Sequence, residues 1–137
     1  DTRVTNYGCN SVGNILQHGV ILEKATLTFN GIGHIIKGAK GADAQQESRV
    51  LMLSDQARSD ANPILLIDEN DVTAGHAASI GQVDPEDMYY LMSRGLDQAT
   101  AERLVVRGFL GSVIVEIPVK EVREEMIQTI EDKLLKR

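Results

Sequence analysis

Residues 1–83 are punctuated by short apolar or alternating runs: Ser11–Leu16, Gly19–Leu22, Thr26–Asn30, Gly33–Ile36, Ser48–Leu53 and Ile64–Ile67. Each is rich in Ile, Val, Leu and Thr and bounded by Gly, Asn, Asp or Pro, which predicts short strands. Lys24–Phe29 alternates, with Ala25, Leu27 and Phe29 on one face and Thr26 and Thr28 on the other. Two arrangements compete. Asn30-Gly31 suits a two-residue hairpin between 25–29 and 32–36, the opening of an antiparallel meander or sandwich. Alternatively Val20–Leu22, Val50–Leu53 and Ile64–Ile67 stack one coil on the next as a β-solenoid. Their spacing is irregular and lacks a hexapeptide repeat, so the pattern alone favours the sandwich or meander.

From residue 84 the periodicity changes to helical. Asp84-Pro85-Glu86-Asp87 combines an N-cap, a proline at the first helical position and acids in the first turn. Met88, Leu91 and Met92 share a face, and Gly95 suits the left-handed position after the helix. Asp97 opens a second helix, with Leu96 and Ala101 placed as a hydrophobic staple. Ala101, Leu104, Val105 and Gly108 continue its face. Leu104–Ile117 is so β-branched that a strand after Gly111 stays open. Beyond Pro118, the stripe Val119, Val122, Met126, Ile127, Ile130 and Leu134 predicts a terminal amphipathic helix. The expected organisation is therefore mostly β with C-terminal helices, divided into 1–83 and 84–137.

Composition narrows the function. Of the 137 residues 42% are apolar, enough for one core. A net charge of −6 and five aromatics (Tyr7, Phe29, Tyr89, Tyr90, Phe109) speak against a nucleic-acid platform. No apolar run approaches the length of a membrane span. The first ten residues, DTRVTNYGCN, lack the basic and apolar regions of a signal peptide. A single cysteine, Cys9, excludes an internal disulfide framework and a multi-cysteine zinc site, and a reducing, cytoplasmic setting is expected.

Motifs for phosphate loops, serine nucleophiles, zinc proteases and dinucleotides are absent, and Gly31-Ile32-Gly33 reads as a turn. Asp68-Glu69-Asn70-Asp71 lacks the glycine and terminal Glu of a calcium loop and reads as a solvated turn. His18 and His34 read as structural. His76 lies in Val72–Gly81 among small residues that let a partner's backbone approach, and imidazole is a common metal ligand. On physical grounds alone a hydrogen-bonded histidine in a tight strand is the stronger reading.

Three blocks add a resemblance: Ser54–Pro63, Asp71–Gly81 and Tyr89–Leu96. In order and spacing they resemble the SufB/SufD family, scaffolds of the SUF iron–sulfur cluster assembly system, on its SufD-like side. The likeness covers about Asn30 to Ile117. SufB-type chains tend to carry an acidic residue at the position of His76 and a cysteine in the preceding coil. The resemblance implies the end of a right-handed parallel β-helix, 1–83, followed by a small α-helical C-terminal domain, 84–137. Members run to several hundred residues, so the chain would correspond to their C-terminal part.

The same resemblance implies a non-catalytic scaffold that pairs with a SufB-like subunit and docks a SufC-like ATPase through its C-terminal helices. His76 would contribute to an iron or cluster site shared at the SufB interface. Some SufD members carry a cysteine two residues before this histidine, where Ala74 stands here. No cofactor is then expected on this chain alone; the nascent iron–sulfur cluster would belong to the full complex. Tyr89, Tyr90, Arg94 and the Gly108/Gly111 notch are the expected docking surface, since Tyr and Arg often anchor interfaces. The competing place for both tyrosines is burial against the end of the β-helix. Isolated, the chain would have the option of a homodimer. The rival classes are a β-solenoid enzyme acting on acyl groups or carbohydrate, which would need an acid–base pair or a regular repeat, and an accessory of a transport ATPase.

Overall fold

The computed structural model describes residues 1–135, which divide into two compact units, one over Asp1–Gly81 and one from Gln82 onward. The first holds six strands: β1 (Thr2–Asn6), β2 (Ile15–Ile21), β3 (Thr26–Ile35), β4 (Asp43–Met52), β5 (Arg58–Ile67) and β6 (Thr73–Gln82). The strands are dealt alternately into two three-stranded sheets, β1-β3-β5 and β2-β4-β6. The β1–β3, β3–β5 and β2–β4 ladders are all parallel, with Thr2 opposite Gly31, Thr26 opposite Arg58 and Ile15 opposite Gln46. Each step back to the same sheet takes about 30 residues, a length typical of stacked repeats.

Parallel ladders overturn the expected antiparallel meander. The hairpin at Asn30-Gly31 does not form, and β3 runs straight through both residues. Partners on both sides keep this pair extended. Asn30 Nδ2 donates to Asp1 Oδ1 at 2.6 Å, and Asn62 Nδ2 donates to Asn30 Oδ1 at 2.9 Å, a ladder of amides across the sheet. Gly31 is needed for close approach, not for a turn. A Cβ there would stand 2.8 Å from Gln46 Oε1 and 3.2 Å from Gln17 Oε1.

Those two amides belong to the core. Ile35, Ala39, Ala42 and Ala44 form one buried apolar cluster; Ile21, Val50 and Ala57 form another. Along β2 and β4 the stretch between them is polar, with Gln17, Gln46 and Ser48 all buried. Ser48 Oγ donates to Gln17 Oε1 at 2.9 Å, Gln17 Nε2 to Thr2 Oγ1 at 3.0 Å, and Gln46 Nε2 to the Ile64 carbonyl at 2.8 Å. Such a belt is tolerated because its donors find acceptors inside.

Pro63, a run boundary in the sequence, lies in the middle of β5. Arg58 N–H bonds the Ala25 carbonyl and Asp68 N–H the Ile35 carbonyl, so even-numbered residues of β5 face β3. The nitrogen of Pro63 faces away from the ladder, where its missing hydrogen breaks no bond to β3.

The second unit contains α1 (Pro85–Ser93), α2 (Gln98–Ile114) and α3 (Lys120–Leu135). Both predicted caps form: Asp84 Oδ1 accepts from Glu86 N–H at 2.8 Å, and Asp97 Oδ1 from Thr100 N–H at 2.7 Å. Gly95 has φ +95°, the left-handed conformation that ends α1. The stretch after Gly111 is helical, not a strand, because Ile114 is buried there and tertiary burial outweighs its β-propensity. No described helix is long and apolar enough to cross a membrane.

Candidate functional site

His76 is on β6, beside β4 in the sheet order. Its neighbour Gly75 faces Gln45, whose Oε1 lies 2.6 Å from where a Cβ would be. Strand alternation puts His76 on the opposite face, with Ala74, which packs against the Ile35 cluster. The imidazole is therefore exposed on the core-facing side of the last strand.

The other two histidines are held in place. His18 Nε2 is 3.0 Å from Glu47 Oε1, and Arg49 reaches the other oxygen of that carboxylate at 3.0 Å. The His18 hydrogen bond, with help from Arg49, holds the Glu47 pKa below its usual 4.5. His34 is clasped between Arg3 Nη2 at 3.1 Å and Asp68 Oδ2 at 2.8 Å. A guanidinium can only donate, so Nδ1 of His34 accepts and Nε2–H donates to Asp68. No hydrogen bond or ion pair to another described residue engages His76.

Cys9 is exposed on the turn after β1, its thiol 3.4 Å from the Gly38 carbonyl. Among the described residues no group of three His, Cys, Asp or Glu side chains is placed to hold a metal ion. On this geometry His76 offers a single nitrogen, and any further ligands would have to come from another chain.

The acidic turn after β5 differs from its sequence reading. Glu69 is 5% exposed, not solvated. Its carboxylate accepts from Asn70 N–H at 2.9 Å and Gly38 N–H at 3.0 Å, with Lys37 Nζ 3.5 Å away. Those backbone donors, more than Lys37, lower its pKa from the usual 4.5. Glu69 thus ties the turn after β5 to the turn after β3. A run of four polar residues cannot reveal this, because Gly38 lies about 30 residues away in the chain.

On α1, Tyr89 is 77% and Tyr90 57% exposed, and the Arg94 guanidinium lies 5.4 Å from the Tyr90 ring centroid. Gly108 and Gly111 on α2 have open space where a Cβ would be. Gly111 also lines a cavity of about 190 Å³ with Arg107, Leu110, Ile114, Ile127 and Ile130, between α2 and α3. Arg107 Nε meets Glu131 Oε1 at 3.1 Å beside it. Val122, Met126 and Ile127 of the predicted α3 stripe are exposed.

Comparison with known proteins identifies the class. The family model described as the SufBD core domain of SUF-system iron–sulfur cluster assembly matches residues 1–109. The chain therefore belongs to the SufB/SufD family. Within it the chain is SufD-like, being 57% identical over 133 residues to the iron–sulfur cluster assembly protein SufD of Bacillus subtilis. That match covers 97% of this chain and 30% of the relative. A SufBD family protein of Mycobacterium tuberculosis is 46% identical over 97 residues, 70% of this chain and 24% of that protein. A second one from the same organism is 34% identical over 111 residues, 81% of this chain and 13% of the relative. The chain thus spans less than a third of the relatives' length.

Proposed function

We propose that this chain is the scaffold part of a SUF-type assembly complex, a non-catalytic SufD-like subunit of the cytoplasm. Residues 1–83 are read as the end of a right-handed parallel β-helix and 84–137 as a helical domain that docks a SufC-like ATPase. The two alternating parallel sheets support the first reading. The exposed Val122, Met126 and Ile127, together with the open Gly108/Gly111 positions, support the second. Tyr89, Tyr90 and Arg94 are taken into the same docking surface.

The observation that carries the proposal is the free edge of β6 with His76 on it. Thr73 N–H bonds back to the Ala42 carbonyl, so the N–H groups of Ala74, His76, Ala78 and Ile80 face outward. An unprotected edge of this kind accepts a partner strand. A SufB-like subunit pairing there would sit beside an imidazole that has no other engagement. The nascent iron–sulfur cluster is the cargo of such a site, with His76 as this chain's contribution.

Ala78→Pro tests the pairing, because it removes a donor from the free edge while sparing the bonds to β4. In the reconstituted complex, co-purification with the SufB-like subunit should fall while the chain's own melting curve holds. Undiminished pairing would remove β6 from the interface. His76→Ala should leave assembly intact and lower cluster yield; an unchanged yield would end the ligand role. Retention of the SufC-like ATPase by the Met126→Ala, Ile127→Ala double variant would count against the helical docking surface.

A further inference from the structure

Asp1, Asn30 and Asn62 stand in one row across the first sheet, as the pairs Thr2–Gly31 and Asn30–Asn62 require. Gly31 faces Gln46 and Gln17 inside, so alternation puts this row on the outer face. Its side chains are joined in a single direction. Asn30 Nδ2 donates to Asp1 Oδ1 at 2.6 Å, and Asn62 Nδ2 donates to Asn30 Oδ1 at 2.9 Å. The carboxylate decides that direction, because an ionised Asp only accepts. Asn30 must turn its nitrogen to Asp1, which leaves its oxygen for the nitrogen of Asn62. The carbonyl oxygen of Asn62 is therefore the end group of the ladder, on the edge strand β5, and no described residue donates to it.

The surroundings share this bias. On β5 the odd-numbered residues turn their backbone groups to the free edge, since Arg58 N–H bonds Ala25 and Asp68 N–H bonds Ile35. Pro63 thus presents a carbonyl there and no N–H. Asp60, the nearest exposed residue before Asn62 on the same face, also only accepts. The middle of this edge is rich in acceptors and short of donors. A strand laid against it strips water from Asn62 Oδ1, and a buried acceptor left unpaired costs more than a hydrogen bond gains. An apolar or acidic side chain beside Asn62 is thereby disfavoured, and an amide or hydroxyl is favoured.

We infer that Asn62 is a specificity residue for a partner strand on the β5 edge, admitting one whose side chain in its row donates a hydrogen bond. The occupant is a strand of the SufB-like subunit. The inference rests on the proposed pairing with that subunit at β6 and adds the other strand of the same coil to it. Asp1, beside the opposite edge of the sheet, sets what Asn62 presents.

The experiment measures the dissociation constant of the reconstituted complex with the SufB-like subunit, with circular dichroism to verify folding. Asn62→Asp keeps an acceptor and should stay within about twofold of the parent. Asn62→Leu removes it and should weaken binding about threefold to tenfold. Asp1→Lys starts the ladder with a donor, turns both amides round and should cause a similar loss from a position that does not touch the β5 edge. Parent-like binding by Asn62→Leu or by Asp1→Lys would overturn the inference, as would equal losses for Asn62→Asp and Asn62→Leu. No complex with the parent would overturn the pairing and the inference together. Loss with Ala78→Pro beside parent-like binding of the Asn62 variants would overturn the inference alone. If Asn62→Leu instead abolished self-association of the chain, the occupant would be a second copy and the assignment would fall.

Discussion

The β unit and the helical unit bury their apolar residues to very different degrees. Asp1–Gly81 encloses Ile15, Ile21, Ile35, Val50 and a set of alanines, and has room among them for buried amides. In the helical unit, by contrast, the buried apolar residues among those described are Ala101, Val106 and Ile114. Its exposed side chains include Tyr89, Tyr90, Met92, Leu104, Val115 and Val122. A helix depends for most of its stability on burying one face. The β unit is thus largely self-sufficient apart from its free edges, whereas the helices keep apolar surface that a partner would cover.

Truncating the β core should produce the largest effect. Ile35→Ala removes a side chain that is 1% exposed and should cost about 2–5 kcal/mol in urea melts. Met126→Ala on α3, 40% exposed, should change stability by less than about 0.5 kcal/mol. Equal losses at the two sites would break the contrast between the units. Gly31→Ala comes next. Its methyl group would press on Gln46 and Gln17, at about 1–3 kcal/mol, and a fully tolerated substitution would show that the amide belt is loose.

Acid should act on the β unit through Glu69 and Glu47. Both carboxylates have pKa values lowered by folding, so the stability they lend is present above the ordinary value of 4.5. It is lost as the pH falls through the lowered folded values. Glu69→Gln should flatten the loss of melting temperature in that acidic range; an unchanged slope would assign the acid sensitivity elsewhere. Asp97, lowered mainly by Thr100 N–H, makes a parallel contribution at the start of α2. Asp97→Ala should therefore lower the stability of the helical signal alone, through loss of the cap.

Local signals in the sequence were accurate where the determining contacts are local. The caps at Asp84 and Asp97 and the stop at Gly95 were legible because each acts within a few residues. The strand runs were legible too, but not their direction. Asn30-Gly31 carries the same two residues in a hairpin and in a straight strand, and the partners Asp1 and Asn62 that hold it straight are about 30 positions away. Pro63 misleads for a related reason: whether proline can sit inside a strand depends on which way its nitrogen faces.

The site divides along the same line. His76 stood out by its small neighbours, and the blocks around it carried the family likeness. Glu69 and the Gln17–Gln46–Ser48 belt could not stand out, since polar residues look solvated until a distant coil supplies their partners. Residue pattern alone therefore showed most of the element types, the change from strands to helices and the family likeness, but not the helix after Gly111. It took the three-dimensional contacts to show that the strands run parallel, that Glu69 is a clamp, and that the nitrogen of Pro63 faces away from its ladder. The physical reason is one of range: capping and periodicity act over a turn or two, while ladder direction, burial and edge exposure are set by residues a whole coil apart.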